Sequence, residues 1–201
     1  MRDSRLLIRS TDTGLGLLLE ALGVSMDHGV VDLASARIEL GLTTSATAPA
    51  EGPRVELLPG PRPEIHAPVD VSAIGWATVE LDRAEASLGA EFGSTFMPAA
   101  RDALLGASVR RSASGRPGIL LLAPDTEGRL AGALARHGEG PAALYLEVPS
   151  LEQLPGRLSI RAGSGPLGPA RLILGGQPWG PFVILVADQS PASADRVPSE
   201  P

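Results

Sequence analysis

The chain has 201 residues, 43% of them hydrophobic but only 3% aromatic, and a formal net charge of −6. That length supports one large domain or two small ones with a substantial core, and the acidic balance argues against nucleic acid or an anionic membrane as the main partner. The absence of cysteine removes disulfides, thiolate catalysis and cysteine-based zinc or iron–sulfur sites from consideration. Every one of the 17 basic residues is Arg, which with the abundant Ala, Gly and Pro points to coding bias rather than to a mechanism.

In chain order, residues 6–9 (LLIR) read as a short strand. Ser10, Thr11, Asp12 and Thr13 offer N-caps for an apolar helix over 15–22, stopped by Gly23. Residues 29–32 and 36–42 follow as strands around a turn at Ala34 and Ser35. The small, polar stretch 43–53 is a loop, and 54–58 (RVELL) another strand. Four prolines in residues 59–68 exclude a helix or central strand and mark a linker.

A second unit opens with a strand at 73–81 (AIGWATVEL), followed by a helix at 82–89. Strands are expected at 103–111 and 118–123 (GILLLA) around a turn at 112–115, then a helix at 125–137 capped by Asp125 or Thr126 and stopped by Gly138. The third unit has a strand at 142–148 (AALYLEV), a short helix at 150–154, and strands at 170–174 and 182–187 (FVILVA). The Pro/Ser-rich residues 189–201 are expected to be disordered. Domain organisation therefore reads as an N-terminal βαββ half-module (1–58), a Pro-rich linker (59–71), paired modules (72–188) and a tail (189–201). Three similar units must pair to bury their apolar faces. Residues 1–58 then either cover an edge of the pair or complete a cup with another chain.

Recognisable chemistry is scarce. His28, His66 and His137 are scattered over a loop, the linker and a helix end, where structural or solvent roles suffice. No spacing marks a nucleophile elbow, and no phosphate-binding glycine pattern follows a strand. The stretch 163–168 (GSGPLG) reads as a plain loop. The apolar run near the N-terminus is too short for a signal segment, and no run reaches the roughly 18 apolar residues of a membrane span. A cytoplasmic protein is expected.

The segment 118–148, GILLLAPDTEGRLAGALARHGEGPAALYLEV, resembles the module junction of the vicinal oxygen chelate superfamily, which includes glyoxalases, bleomycin-resistance proteins and extradiol dioxygenases. The likeness is to the methylmalonyl-CoA epimerase branch above all. Residues 73–82 (AIGWATVELD) resemble that family's first strand and 180–186 (GPFVILV) its last. The resemblance implies an α+β fold in which βαβββ-type modules form cupped, antiparallel or mixed sheets. It also implies four metal ligands inside the cup, and these correspond to Ala73, Leu120, Ala143 and Ile184. All four are alkyl, whereas a divalent ion needs imidazole nitrogens or carboxylate or amide oxygens.

No metal and no cofactor are therefore expected. Strand alternation places Gly75, Ala77, Tyr145 and Glu147 on the same face as Ala73 and Ala143, with Leu120, Leu122, Phe182 and Ile184 beside them and Trp76 on the opposite, helix-packing face. A ligand pocket would be lined by Ala73, Gly75, Leu120, Leu122, Ala143, Tyr145, Glu147, Phe182 and Ile184. No catalytic residue is assigned. A buried Tyr145 and Glu147 need partners, and Arg110 or Arg171 is the candidate.

The leading function is a metal-independent protein binding an apolar small molecule, without nucleic-acid or membrane partners and homodimeric as the resemblance implies. One alternative is a structural or regulatory relic with a filled cup. The other is a metal-free lyase- or isomerase-type enzyme using Glu147 or another acid as base.

Overall fold

The structure is a computed structural model that describes residues 5–10, 13–41, 54–58, 64–65, 67–113, 115, 117–174 and 182–188. The expected caps Thr11 and Asp12, the loop 43–53, His66 and the tail 189–201 lie outside these residues.

The first unit comprises β1 (Arg5–Ser10), α1 (Thr13–Ala21), β2 (Val30–Asp32), β3 (Ala36–Leu40) and β4 (Arg54–Leu58), with strand order β2-β3-β1-β4. Strand β1 runs parallel to β3 and antiparallel to β4. Gly23 ends the helix with a left-handed φ of 84°, while Val24 N–H donates back to the Leu19 carbonyl. His28 and Gly29 both have positive φ between the paired Asp27 and Val30, as a tight type I′ turn demands. That accounts for His28 structurally. Its imidazole is solvent-exposed beside Asp27.

The second sheet is built from β5 (Asp70–Ala77), α2 (Leu81–Phe92), β6 (Phe96–Asp102), β7 (Ala107–Ser112), β8 (Gly118–Pro124), α3 (Arg129–His137), β9 (Gly140–Val148), β10 (Ile160–Gly165), β11 (Gly168–Ile173) and β12 (Phe182–Ala187). Its order, β10-β11-β12-β9-β5-β8-β7-β6, is two four-stranded halves meeting at the antiparallel β5–β9 seam. In each half the first strand runs parallel to the last, β5 with β8 and β9 with β12. The far edges curl together, so that Ala103 N–H donates to the Ser164 carbonyl at 3.1 Å. Closure depends on glycine: a Cβ on Gly163 would stand 2.5 Å from Leu104 Cδ2, and one on Gly165 3.2 Å from Asp102 Oδ2. The stretch 163–168, expected as a loop, is the hairpin joining β10 to β11.

Three further expectations are corrected. The apolar run 103–111 is not one strand, because Asp102 accepts hydrogen bonds from the backbone of Leu104 and Leu105 and turns the chain there. Strand β6 therefore ends at Asp102, and β7 restarts after Gly106, whose φ is 69°. Helix α3 starts at Arg129 with Gly128 as N-cap, not at Asp125 or Thr126. Residues 150–154 form no helix. Pro149 and Pro155 bracket them, and the Ser150 hydroxyl accepts the Glu152 N–H in a local turn.

The central strands of the eight-stranded sheet are buried on both faces. The inner face gathers Ala73, Leu120, Leu122, Ala143, Tyr145 and Ile184 with residues of β7, β11 and α3. Helix α2 covers one half of the outer face through Ala84 and Leu88 on Ile119 and Leu121, with Trp76 packed against them. The connection from β9 to β10 supplies no matching helix. Instead, Leu6, Ile8, Leu15, Leu19 and Ile38 of the first unit share one core with Ile74, Leu144, Leu146, Val183 and Leu185. The first unit thus packs on the outer face of the second, and its position is pinned by Ser35. That hydroxyl donates to Asp70 Oδ1 (2.7 Å) and the Val71 carbonyl (2.6 Å), both within its reach as alternatives for one proton. Among the described residues no helix is long and apolar enough to cross a membrane.

Candidate functional site

The inner face brings together the residues expected to line a pocket, apart from Glu147. Register sets Ala73 opposite Tyr145 and Gly75 opposite Ala143, with Leu120 beside Gly75 on β8 and Ile184 beside Tyr145 on β12. Leu122 lies next to Ala77, and Phe182 next to Ala143. Ala73, Leu120, Ala143 and Ile184 are each no more than 1% exposed. A Cβ added to Gly75 would stand 2.6 Å from Leu122 Cδ1, 2.9 Å from the Ala143 Cβ and 3.2 Å from Tyr145 Cε2. At Gly75 the cup has no room for one more carbon.

A divalent ion does not fit this residue set. Four alkyl side chains offer no lone pair, and among the described residues no cluster of three or more His, Asp or Glu could supply ligands elsewhere.

Polar chemistry inside the cup comes from a pair that the sequence only half revealed. Tyr145 donates its phenolic proton to Asp102 Oδ2 at 2.7 Å, while Asp102 Oδ1 accepts the N–H groups of Leu104 and Leu105, each at 2.9 Å. Both side chains are buried, Asp102 at 0% exposure. Burial pushes the Asp102 carboxyl up, against the pull of its three donors and of Arg101. Burial also pushes the Tyr145 phenol well up, helped by the charge of Asp102.

Arg110 and Arg171 are not the partners of Tyr145. Arg110 pairs with Asp82 and Glu85 beside α2, and Arg171 donates to the Ala170 carbonyl. The signal for Asp102 was local. Asp102 heads the stretch Asp-Ala-Leu-Leu-Gly, an Asp-to-Gly turn that the apolar run concealed.

Glu147 stands apart from the cup centre. It is 8% exposed at the carboxyl end of β9, level with Asp70 in the ladder. A groove of about 640 Å³ opens there, lined by Glu147, Asp70, Asp188 and the apolar Ala67, Val69 and Pro149. Glu147 thus borders this groove, two residues along β9 from Tyr145. His137 is exposed at the end of α3.

No family model matches the sequence, and no curated protein matches it. Solved structures do. Methylmalonyl-CoA epimerase from Mycobacterium tuberculosis is 21% identical with a TM-score of 0.52, over 62% of this chain and 91% of that one. A hypothetical protein from Bacillus halodurans C-125 is 15% identical with a TM-score of 0.51, over 60% and 95%. Streptomyces coelicolor methylmalonyl-CoA epimerase, in complex with 2-nitronate-propionyl-CoA, is 16% identical with a TM-score of 0.51, again over 60% and 95%.

The fold is the vicinal oxygen chelate fold. At these identities the likeness establishes the fold and nothing finer.

Within this vicinal oxygen chelate fold, the Gly-Glu-Gly turn at 138–140 has a structural task. Gly138 takes a φ of 76°, and Glu139 reaches across to the turn between β5 and α2. Glu139 Oε1 accepts Val79 N–H (2.8 Å) and the Thr78 hydroxyl (2.9 Å), and Oε2 accepts Arg83 Nη2 (2.6 Å). The Val79 N–H, the Thr78 hydroxyl and the Arg83 charge together hold its carboxyl below the usual glutamate range. A group shifted down stabilises the fold above its unfolded pKa, and that contribution is lost as pH falls through the folded value. Urea midpoints of Glu139→Gln should accordingly lie below wild type near neutrality and converge with it in acid. Parallel curves for the two proteins across the acid range would refute the clamp.

Proposed function

We propose that this chain is a metal-free, non-catalytic protein on the vicinal oxygen chelate fold, in which the cup has become a structural core. The observation that carries the reading is the absence of room at Gly75, between Leu122, Ala143 and Tyr145, together with alkyl groups at all four positions matching the family's ligands. Its function then lies in its surface and its assembly. A homodimer is the form that fold kinship leads us to expect. Native mass spectrometry of protein purified from its own host tests this. The expected species is a dimer whose mass equals two bare chains, and one divalent ion per chain would overturn it.

A second reading, binding of an apolar small molecule, is favoured by a specific observation. Leu104 and Leu105, which help fill the cup, belong to a turn rather than to its wall. An organic mass carried by each chain in the same spectrum would decide for this second reading.

A further inference from the structure

We infer that residues 103–106 form a strap that seals the cup, and that its release opens a site for an apolar small molecule carrying one hydrogen-bond donor. This rests on the small-molecule reading and specifies the site and the ligand class.

The strap spans the gap between the far edges of the sheet. Asp102, the last residue of β6, hinges it at one end, and its own last residue, Gly106, precedes β7 with a left-handed φ. It is held from three sides. Toward β10, Ala103 N–H donates to the Ser164 carbonyl, and Leu104 lies over Gly163, where any Cβ would collide with it. Toward α3, the Leu105 carbonyl accepts Leu130 N–H (3.1 Å), and the Gly106 carbonyl accepts Asp125 N–H (2.8 Å). At the hinge, Asp102 Oδ1 accepts the Leu104 and Leu105 amides, while its Oδ2 is tied to β9 by the Tyr145 hydroxyl. The leucines of the strap are plugs, Leu104 5% and Leu105 0% exposed, in one core cluster with Leu120, Leu122 and Ile184.

These attachments differ in kind from those of the wall. Strands β5 and β9 are fixed by ladders on both sides. The amides of Leu104 and Leu105, in contrast, are held by one carboxylate oxygen. Local openings draw on segments with few cooperative bonds, so the strap is the part of the cup that can open without the sheet. Lifting it withdraws two leucyl side chains from an apolar chamber. Left facing the vacated space are the Tyr145 hydroxyl and the Asp102 carboxyl, an acceptor for an O–H or N–H. Ring-sized apolar molecules with one such group match a chamber of this composition.

Two measurements on the full chain separate the strap from the site. Native-state hydrogen exchange should show Leu104 and Leu105 amides exchanging roughly tenfold or more faster than those of β5 and β9, with a further increase in Asp102→Asn. Exchange of all these amides together, through global unfolding alone, would overturn the strap. Thermal melts with phenol and with toluene then test the site in wild type and in Leu104→Ala, or in Leu104→Val should the alanine variant not fold. Phenol should raise the melting point of the variant, and toluene should raise it less. Fast exchange with no shift from either probe overturns the ligand site while leaving the strap. Equal shifts overturn the role of the Asp102–Tyr145 pair in choosing the ligand.

Discussion

Asp102→Ala is expected to destabilise the protein by about 3–9 kcal/mol, because it leaves the Tyr145 hydroxyl and the Leu104 and Leu105 amides buried without their acceptor. Each such loss costs about 1–3 kcal/mol, and the total approaches the whole margin of a typical domain, about 5–15 kcal/mol. Asp102→Asn is far milder, since an amide oxygen can keep both backbone donors and its NH₂ can donate to the phenolic oxygen. Tyr145→Phe should fall between the two. Its ring stays packed, but the carboxyl loses one of the groups that favour its charged form.

The pH dependence carries a definite sign. Burial raises the Asp102 carboxyl in the folded state, so its contribution is fully present below the unfolded pKa and is lost as pH rises through the folded value. Asp102→Asn should remove that loss, opposite in direction to the effect of Glu139→Gln. Denaturant melts of the three variants at several pH values provide the check. An alanine variant as stable as wild type would show that the pair is incidental.

Ala143→His should be destabilised by about 1–3 kcal/mol for a buried imidazole without a partner, and overpacking should add about 1–3 kcal/mol. Ala143 is fully buried opposite Gly75, where the Cβ position is already crowded. Zinc should not restore the loss, because one His supplies a quarter of a tetrahedral site and its neighbours Ala73, Leu120 and Ile184 supply nothing. Thermal melts with and without zinc measure both effects. A variant that zinc stabilises at one ion per chain would mean that other ligands lie within reach.

What the sequence disclosed, and what it concealed, follows from the range of the interactions involved. Strands such as 182–187 and 118–123 announce themselves, because a run buried on both faces is apolar at every position. The alternating inner face of β9 was equally legible, down to Trp76 on the opposite side of its neighbour β5. Strands β6 and β10 were missed since they lie at the sheet's edges and carry polar or small residues: Pro98, Arg101, Gly163 and Ser164. Their place is fixed by partners, not by their own pattern. The same holds for Asp102, whose contact with Tyr145 spans 43 residues and leaves no trace in local spacing. Nor could alternation say whether the cup is open. That depends on Leu104 and Leu105, which read as strand and fold as a turn.

The first unit's place on the outer face also sets an order of events during synthesis. Leu6, Ile8 and Leu19 emerge from the ribosome early, yet the surface they bury against includes Val183 and Leu185, close to the end of the chain. At roughly 5–20 residues per second, the nascent segment must wait on the order of ten seconds or longer with its apolar side uncovered. Contacts of such long sequence separation also slow the final docking step. Translation speed and holding chaperones should thus govern the yield of this protein more than the intrinsic stability of either sheet.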